Sequence, residues 1–251
     1  GAWWVAPSAY FLGVAAIIVS GIILKKTKMF SGDPAPFVME LPAYHWPTFG
    51  NIMRSMWERG SSFMRKAGTI ILLSSIIIWA GSCFGFVDGG FTFSLEMELE
   101  ASILGKIGEG IKWIFAPLGF GNWESTVTSI TGLVAKENVV ATVGVITSLG
   151  EEIGETDPSL WAAFAAMLGG SSAAIMAFCA FNLLCAPCFA AIGTIRRQMM
   201  SAKWTWAAIG YMCAFAWCVG LMIYQFGGLI AGEITFGPFT ALAIVVAAGM
   251  L

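Results

Sequence analysis

A polar cluster inside an apolar stretch contains the first residues that could do chemistry. Residues 122–149 are apolar enough to lie in a bilayer. The polar and small residues in the middle of this stretch are Thr131, Gly132, Lys136, Glu137 and Asn138. Because an ionisable side chain at membrane depth costs about 2.5–3.5 kcal/mol, such residues point to a function. A glycine permits a backbone break, so we predict two half-helices that meet at a polar tip near 131–136, as in transporters. The alternative is a charge-paired helix buried in a bundle for packing alone.

A second group lies within residues 171–197, where the run Cys185-Ala186-Pro187-Cys188 interrupts apolar sequence. Proline removes a backbone donor, and irregular backbone at membrane depth is tolerated only where it is buried in protein or lines a cavity. We therefore predict a second broken helix that faces the first. Thiolates are soft ligands suited to a transition metal such as ferrous iron, whereas most free cysteines fill core space, and both interpretations stay open. The Cys-x-x-Cys spacing is also typical of redox pairs, but no second pair or thioredoxin-like pattern accompanies it.

The composition identifies an integral membrane protein. Of 251 residues, 58% are hydrophobic and only 11% are charged, with a mean hydropathy of +0.80, whereas soluble domains carry about 25% charged residues. The lipid bilayer is therefore a partner, and without a basic face no nucleic acid is expected. Most of the six cysteines fall in apolar runs, which favours reduced thiols over a disulfide framework. No GxxxxGK[ST] phosphate loop is present, so this chain alone is not expected to be a nucleotide-hydrolysing enzyme.

The segments around the two clusters divide the chain into three predicted parts. Residues 1–28 form a transmembrane helix whose basic end faces the cytoplasm, because lysines near span ends set the orientation. Residues 29–66 form a Pro-rich elbow followed by an amphipathic helix in the membrane interface. Residues 67–251 form a membrane gate domain. The sequence begins without Met and enters an apolar run almost at once, so it reads as the later part of a longer polypeptide.

The predicted gate domain arranges transmembrane helices around the two broken segments. Its elements are a span at 67–87, an outer amphipathic helix at 102–117, the re-entrant segment 122–149, the broken helix 171–197, and spans at 204–226 and 236–251. The loops on both sides of the re-entrant segment are acidic and are predicted to be external, so this segment enters and leaves on one side. The predicted fold class is an all-α, polytopic membrane protein.

Several runs resemble the C-terminal half of the ferrous iron transport protein B family. They are GDPAPFVMELPAYHWPT, MWERGSSFMRKAGTIILLSSIIIW, PLGFGNW, ITGLVAKENVVATVGV and FNLLCAPCFAAIGTIRRQ. The resemblance implies a multi-pass Fe²⁺ transporter of the bacterial inner membrane, with Fe²⁺ as the transported ion and no permanently bound cofactor. It also implies two gate regions, each with a cysteine on the iron path; the second gate matches here, and its cysteine corresponds to Cys188. The implied partners are an N-terminal half with a G domain and a first gate, and small accessory iron-transport proteins are further candidates.

These observations lead to one hypothesis about the site. Glu137 would be a hard anionic contact for the metal, Cys188 a soft contact, and Lys136 a charge partner or gate, with Cys185 as a further metal candidate. The other pathway and gating candidates are Asn138, Thr131, Gly132, Pro187 and Asn182. The alternative is a gate-type module of a nucleoside transporter or spore-maturation relative, with a binding or scaffold role and no metal site. A membrane-embedded redox protein is a third alternative.

Overall fold

The protein is helical throughout most of its described length. The computed structural model describes residues 4–27, 48–87, 90–94, 99–134, 136, 138–147 and 157–250. The elements are α1 (Val5–Lys26), α2 (Phe49–Cys83), β1 (Phe84–Val87), β2 (Gly90–Phe93), α3 (Ile103–Ile111), α4 (Trp123–Val134), α5 (Asn138–Ile146), α6 (Pro158–Met167), α7 (Ser172–Leu184), α8 (Phe189–Met199), α9 (Ala202–Ala231) and α10 (Pro238–Met250). The predicted all-α membrane class is confirmed, with one short β-hairpin as an addition.

Two of the described helices are long and apolar enough to cross a membrane. They are Pro7–Lys26 within α1 and Ala202–Ala231, which is α9. The pair α6 and α7, bent by 98° at a short break, passes the same test together and could supply a third crossing. α1 ends with the two lysines Lys25 and Lys26, as the sequence predicted.

The predicted separation of an interfacial helix from the following span is wrong, because α2 runs without interruption from Phe49 to Cys83. No proline occurs in this stretch, so nothing forces the backbone out of the helix at the predicted boundary after residue 66. The chain then forms an antiparallel hairpin in which Phe84 pairs with Phe93 and Val87 with Gly90. The sequence between the strands is Asp-Gly, which two-residue hairpin loops favour. The predicted Pro-rich elbow falls almost entirely outside the described residues.

The predicted amphipathic helix at 102–117 begins where expected, but its α-helical part is shorter than predicted and ends at Ile111. Ser102 caps α3 by accepting a hydrogen bond from the Gly105 backbone N–H at 3.1 Å. After α3 the chain continues as two 3₁₀ turns, Lys112–Ile114 and Ala116–Leu118. Gly119 then stops the helix with φ of +85°, a left-handed conformation that favours glycine.

The core of the molecule is the contact between α7 and α9, which pack against each other more extensively than any other two described elements. Ala174 and Ala177 on α7 and Ala216 on α9 are fully buried. At Gly220 of α9, an added Cβ would lie 2.9 Å from Leu118 Cδ2. Small residues let helix backbones approach closely in membranes, where dispersion and not the hydrophobic effect holds helices together. α7 is therefore held firmly along the face that leads to its break.

Aromatic rings extend this core to α6 and to the turns before α4. The ring centroids of Phe115 and Phe120 lie 5.4 Å apart, Phe120 meets Phe178 edge-on at 5.3 Å, and Phe178 meets Phe164 in the same way at 5.3 Å. Each such pair contributes about 0.5–1.5 kcal/mol beyond the burial of its area. The rings therefore hold the segment that precedes α4 against α7.

A buried polar network joins the same turns to α9 and α10. The Gln225 amide donates to the Pro117 carbonyl oxygen at 3.0 Å, and the Thr240 hydroxyl donates to the Gln225 carbonyl oxygen at 2.9 Å. Gln225 and Thr240 are both buried, so these bonds satisfy polar groups whose burial would otherwise cost free energy.

Candidate functional site

The first predicted break is present, between α4 and α5. α4 ends at Val134 and α5 begins at Asn138. The two helices pack against each other, and the Thr142 hydroxyl donates to the Thr131 hydroxyl across them at 3.0 Å. Thr131 is itself buried and donates to the Thr128 carbonyl oxygen at 2.9 Å. The segment therefore folds back on itself as a hairpin.

Gly132 serves a different purpose from the one predicted. It lies inside α4, before the break, and is not among the glycines with positive φ. A Cβ at this position would lie 2.8 Å from Val139 Cγ2 on α5 and 3.2 Å from Asn182 Oδ1 on α7. Gly132 thus permits the close approach of three helices at the site and does not itself break the backbone.

The second predicted break is also present, between α7 and α8. α7 ends at Leu184, α8 begins at Phe189, and the four residues between them, with Pro187 among them, are not helical. Cys185 is the C-cap of α7, where its N–H donates to the Phe181 carbonyl oxygen at 2.8 Å. Cys188 is the N-cap of α8, and its carbonyl oxygen accepts the first hydrogen bonds of that helix.

The two cysteines of the second break are in different environments. Cys185 is 6% exposed and belongs to the core, whereas Cys188 is half-buried and its side chain makes no capping hydrogen bond. The Cys185 Sγ atom lies 3.6 Å from the Sγ atom of Cys213 on α9. Cys213 was not among the predicted site residues, and no local signal pointed to it, because 28 residues separate the two positions. Of the two thiols at the break, Cys188 is the one left available.

A direct contact joins the two breaks. The Lys136 ammonium, at the tip between α4 and α5, donates to the Leu183 carbonyl oxygen at 3.2 Å. This carbonyl belongs to the last turn of α7, where the following break removes the usual helical partners. Lys136 is exposed, and Glu137 lies outside the described residues, as does the side chain of Asn138. The two breaks therefore face each other, as predicted, and this hydrogen bond joins them.

A cavity of about 340 Å³ opens beside this contact, between α5, α6 and α7. Lys136, Asn182 and Cys179 are its polar lining residues, and the rest of the lining is apolar or aromatic. The Asn182 amide donates to the Phe178 carbonyl oxygen at 2.9 Å. Two of the predicted pathway residues, Lys136 and Asn182, thus share one cavity.

The predicted metal ligands are not assembled within the described part of the chain. Over the ranges given above, no three His, Cys, Asp or Glu side chains come close enough together to hold a metal ion. Cys188 and Cys185 lie on opposite sides of Pro187, and Cys185 contacts Cys213. The roles of Glu137 and Cys188 as ligands stay predictions.

Glu233 is a residue of this region that sequence reasoning missed. Its carboxylate, in the turn between α9 and α10, accepts hydrogen bonds from the Ser171 hydroxyl, from the Ser172 hydroxyl at 2.7 Å and N–H at 3.1 Å, and from the Ala173 N–H at 3.4 Å. The bonds from Ser171 and Ser172 lower the pKa of Glu233 to about 2. A carboxylate at a helix N-terminus satisfies free N–H groups and interacts favourably with the helix dipole. Glu233 therefore holds the start of α7 at the bend after α6.

These features define a polytopic helical membrane protein with two broken segments in contact. Comparison with known families agrees with that class. A family model described as "Nucleoside recognition", named Gate, matches residues 64–202, and one described as "Ferrous iron transport protein B C terminus" matches residues 6–59. The chain belongs to the Gate family, and it is similar to the C-terminal part of ferrous iron transport protein B.

Individual relatives lead to the same assignment. The Fe(2+) transporter FeoB of Staphylococcus aureus is 33% identical over 225 residues, which are 90% of this chain and 32% of the relative. That of Campylobacter jejuni is 34% identical over 215 residues, 85% of this chain and 34% of the relative. The "Fe(2+) transport protein A/Fe(2+) transporter FeoB fusion protein" of Porphyromonas gingivalis is 32% identical over 87% of this chain and 30% of the relative. The chain thus spans about a third of the length of these relatives. No solved structure matches it significantly.

Proposed function

We propose that this chain forms one half of an Fe²⁺ pathway across the bacterial inner (plasma) membrane, in which it is a multi-pass segment. The observation that carries the proposal is the hydrogen bond from Lys136 to the Leu183 carbonyl oxygen, which joins the tips of two broken helices. Transporters use such breaks to place charged side chains and free backbone groups in the path of an ion. The relatives, which are named Fe(2+) transporters, supply the ion, Fe²⁺.

The residues at the breaks would act on the ion in different ways. Cys188 offers a soft ligand beside a proline break, and Glu137 offers a hard anionic one. Lys136 would repel the ion: a +1 and a +2 charge about 6 Å apart repel each other by about 5.5 kcal/mol at an effective dielectric constant of about 20. Lys136 must therefore move, or be neutralised by a neighbouring carboxylate, before Fe²⁺ can pass. Its contact with Leu183 would be the closed state of this gate.

The remainder of the path would come from partners. The cavity beside Lys136 is lined mainly by apolar side chains, which cannot replace the water that a dication must lose. An N-terminal half with a G domain and a first gate would supply the missing polar surface and the nucleotide hydrolysis. The Porphyromonas gingivalis relative, whose name describes a fusion with Fe(2+) transport protein A, makes a small accessory iron-transport protein a further candidate partner. Fe²⁺ would be cargo, with no resident cofactor.

The experiment that tests the proposal compares two substrates. The complete transporter that contains this chain is reconstituted in liposomes under reducing conditions, and uptake of radioactive Fe²⁺ and of radioactive uridine is measured. We expect saturable Fe²⁺ uptake and uridine uptake no higher than in empty liposomes. Uridine accumulation without Fe²⁺ uptake would instead support the nucleoside alternative, which the description of the Gate family as "Nucleoside recognition" suggests.

A further inference from the structure

Two thiols from distant parts of the chain meet where α7 ends. Cys185 Sγ and Cys213 Sγ are 3.6 Å apart, whereas the sulfur atoms of a disulfide are about 2.05 Å apart. The two sulfur atoms must therefore approach each other by about 1.5 Å for a bond to form. Cys185 itself begins the non-helical stretch that continues to Cys188, so the backbone after Cys185 can shift without breaking a helix.

The two cysteines differ in how exposed they are. Cys185 is 6% exposed and lies in the hydrophobic core, while Cys213 is only half-buried. Cys213 is therefore the more accessible of the two thiols and the one that an oxidant would meet first. The Cys-x-x-Cys spacing would suggest Cys188 as the partner of Cys185, but the contact observed is with Cys213.

We propose that Cys185 and Cys213 form a reversible dithiol–disulfide pair that peroxide oxidises. The Cys213 sulfur attacks one peroxide oxygen, the O–O bond breaks, and a sulfenic acid and one water form. The Cys185 sulfur then attacks the sulfenic sulfur, its proton leaves with the displaced hydroxide as a second water, and the S–S bond forms. Two thiols thus lose two electrons and two protons, and one hydrogen peroxide is reduced to two waters.

The consequence of the bond is mechanical. It would tie the start of the second break covalently to α9, the helix that already packs most closely on α7. The backbone around Cys188 could then no longer shift relative to α9. If the chain conducts Fe²⁺ as proposed above, oxidation would close the path when peroxide is present, and a thiol reductant would reopen it.

The test uses the complete transporter in membrane vesicles. Vesicles are treated with hydrogen peroxide, remaining thiols are alkylated, and cross-linked peptides are identified by mass spectrometry. We expect a Cys185–Cys213 cross-link in the wild type and in the matched control Cys218→Ser, which alters another half-buried cysteine of α9. The cross-link should disappear in Cys213→Ser and in Cys185→Ala, and dithiothreitol should reverse it.

Three results would overturn the proposal: a Cys185–Cys188 disulfide, complete alkylation of both thiols after peroxide, or oxidation to sulfinic acid without a cross-link. Uptake is measured separately, after catalase has removed the peroxide so that it cannot react with Fe²⁺. Wild-type uptake should fall at least fivefold on oxidation, and Cys213→Ser should keep its uptake. A cross-link in a protein that takes up no Fe²⁺ even when reduced would refute the proposed transport and leave the thiol pair standing.

Discussion

The substitution Gly132→Ala tests the close approach of three helices at the first break. A methyl group at this position would lie 2.8 Å from Val139 Cγ2 and 3.2 Å from Asn182 Oδ1. Carbon atoms prefer a separation of about 3.5–4.0 Å, so Val139 must move by about 0.7–1.2 Å. Overpacking of this kind costs about 1–3 kcal/mol. Replacing Gly by Ala inside a helix also stabilises the helix by about 0.5–1 kcal/mol, so the net loss should be about 0–2.5 kcal/mol.

A matched control removes the helix-propensity contribution. Gly210 lies in the interior of α9, and a Cβ there would meet nothing within 4 Å. Gly210→Ala should therefore stabilise the protein by about 0.5–1 kcal/mol. The difference between the two variants is then the overpacking cost alone, about 1–3 kcal/mol.

The assay is equilibrium unfolding of the complete transporter in detergent, followed by tryptophan fluorescence, with both variants measured against the wild type. Gly132→Ala should also slow transport, because the added methyl group pushes on the start of α5 beside Lys136. If Gly132→Ala is as stable as Gly210→Ala, α5 and α7 do not approach Gly132 as closely as the structure shows.

Two further substitutions follow from the turns that frame the site. The pKa of Glu233 is lowered from its ordinary 4.5 to about 2, so its contribution to stability is present above pH 4.5 and is lost as the pH falls toward 2. Glu233→Gln should therefore lower the unfolding temperature at pH 7. It should also reduce the decrease in unfolding temperature that the wild type shows between pH 4.5 and pH 2. If the variant and the wild type show the same unfolding temperatures over this pH range, the carboxylate does not hold α7. Gly119→Ala should cost about 2–5 kcal/mol, because φ is +85° and the Cβ would lie 2.2 Å from the Tyr224 ring, whereas Gly169→Ala, with φ of +68° and open space, should cost about 1–2 kcal/mol. Equal losses in unfolding experiments would mean that the ring does not press on Gly119.

The breaks could be predicted because their causes are local in sequence. The prolyl residue of Cys-Ala-Pro-Cys cannot continue a helix, and charged residues in an apolar run mark a polar tip. The break between α4 and α5 accordingly appears next to Lys136, and the break after α7 at Cys185.

The contacts across the chain could not be predicted, because they depend on packing between distant segments. The hydrogen bonds from Ser172 to Glu233 span 61 residues, and the approach of Cys185 to Cys213 spans 28. The role of Gly132 could not be predicted either. A side chain at this position would collide with α5 and α7, and the sequence does not show that these helices lie so close. The continuous α2 was missed for the opposite reason: the change from charged to apolar residues was taken as an element boundary, but composition alone does not break a helix.

Fe²⁺ uptake by the complete transporter carrying Cys188→Ser shows whether the thiol at the second break contacts the ion. Serine keeps the size and the Pro187 break but replaces a soft sulfur ligand by a hard neutral oxygen. Cys218→Ser is the control, because Cys213 contacts Cys185 and is not independent of the break. Under reducing conditions, and normalised to protein in the membrane, Cys188→Ser should lower uptake about tenfold, equivalent to about 1.4 kcal/mol, while Cys218→Ser should transport normally. Wild-type uptake by Cys188→Ser would rule out the proposed pathway through the second break, because the thiol there would then not contact the ion.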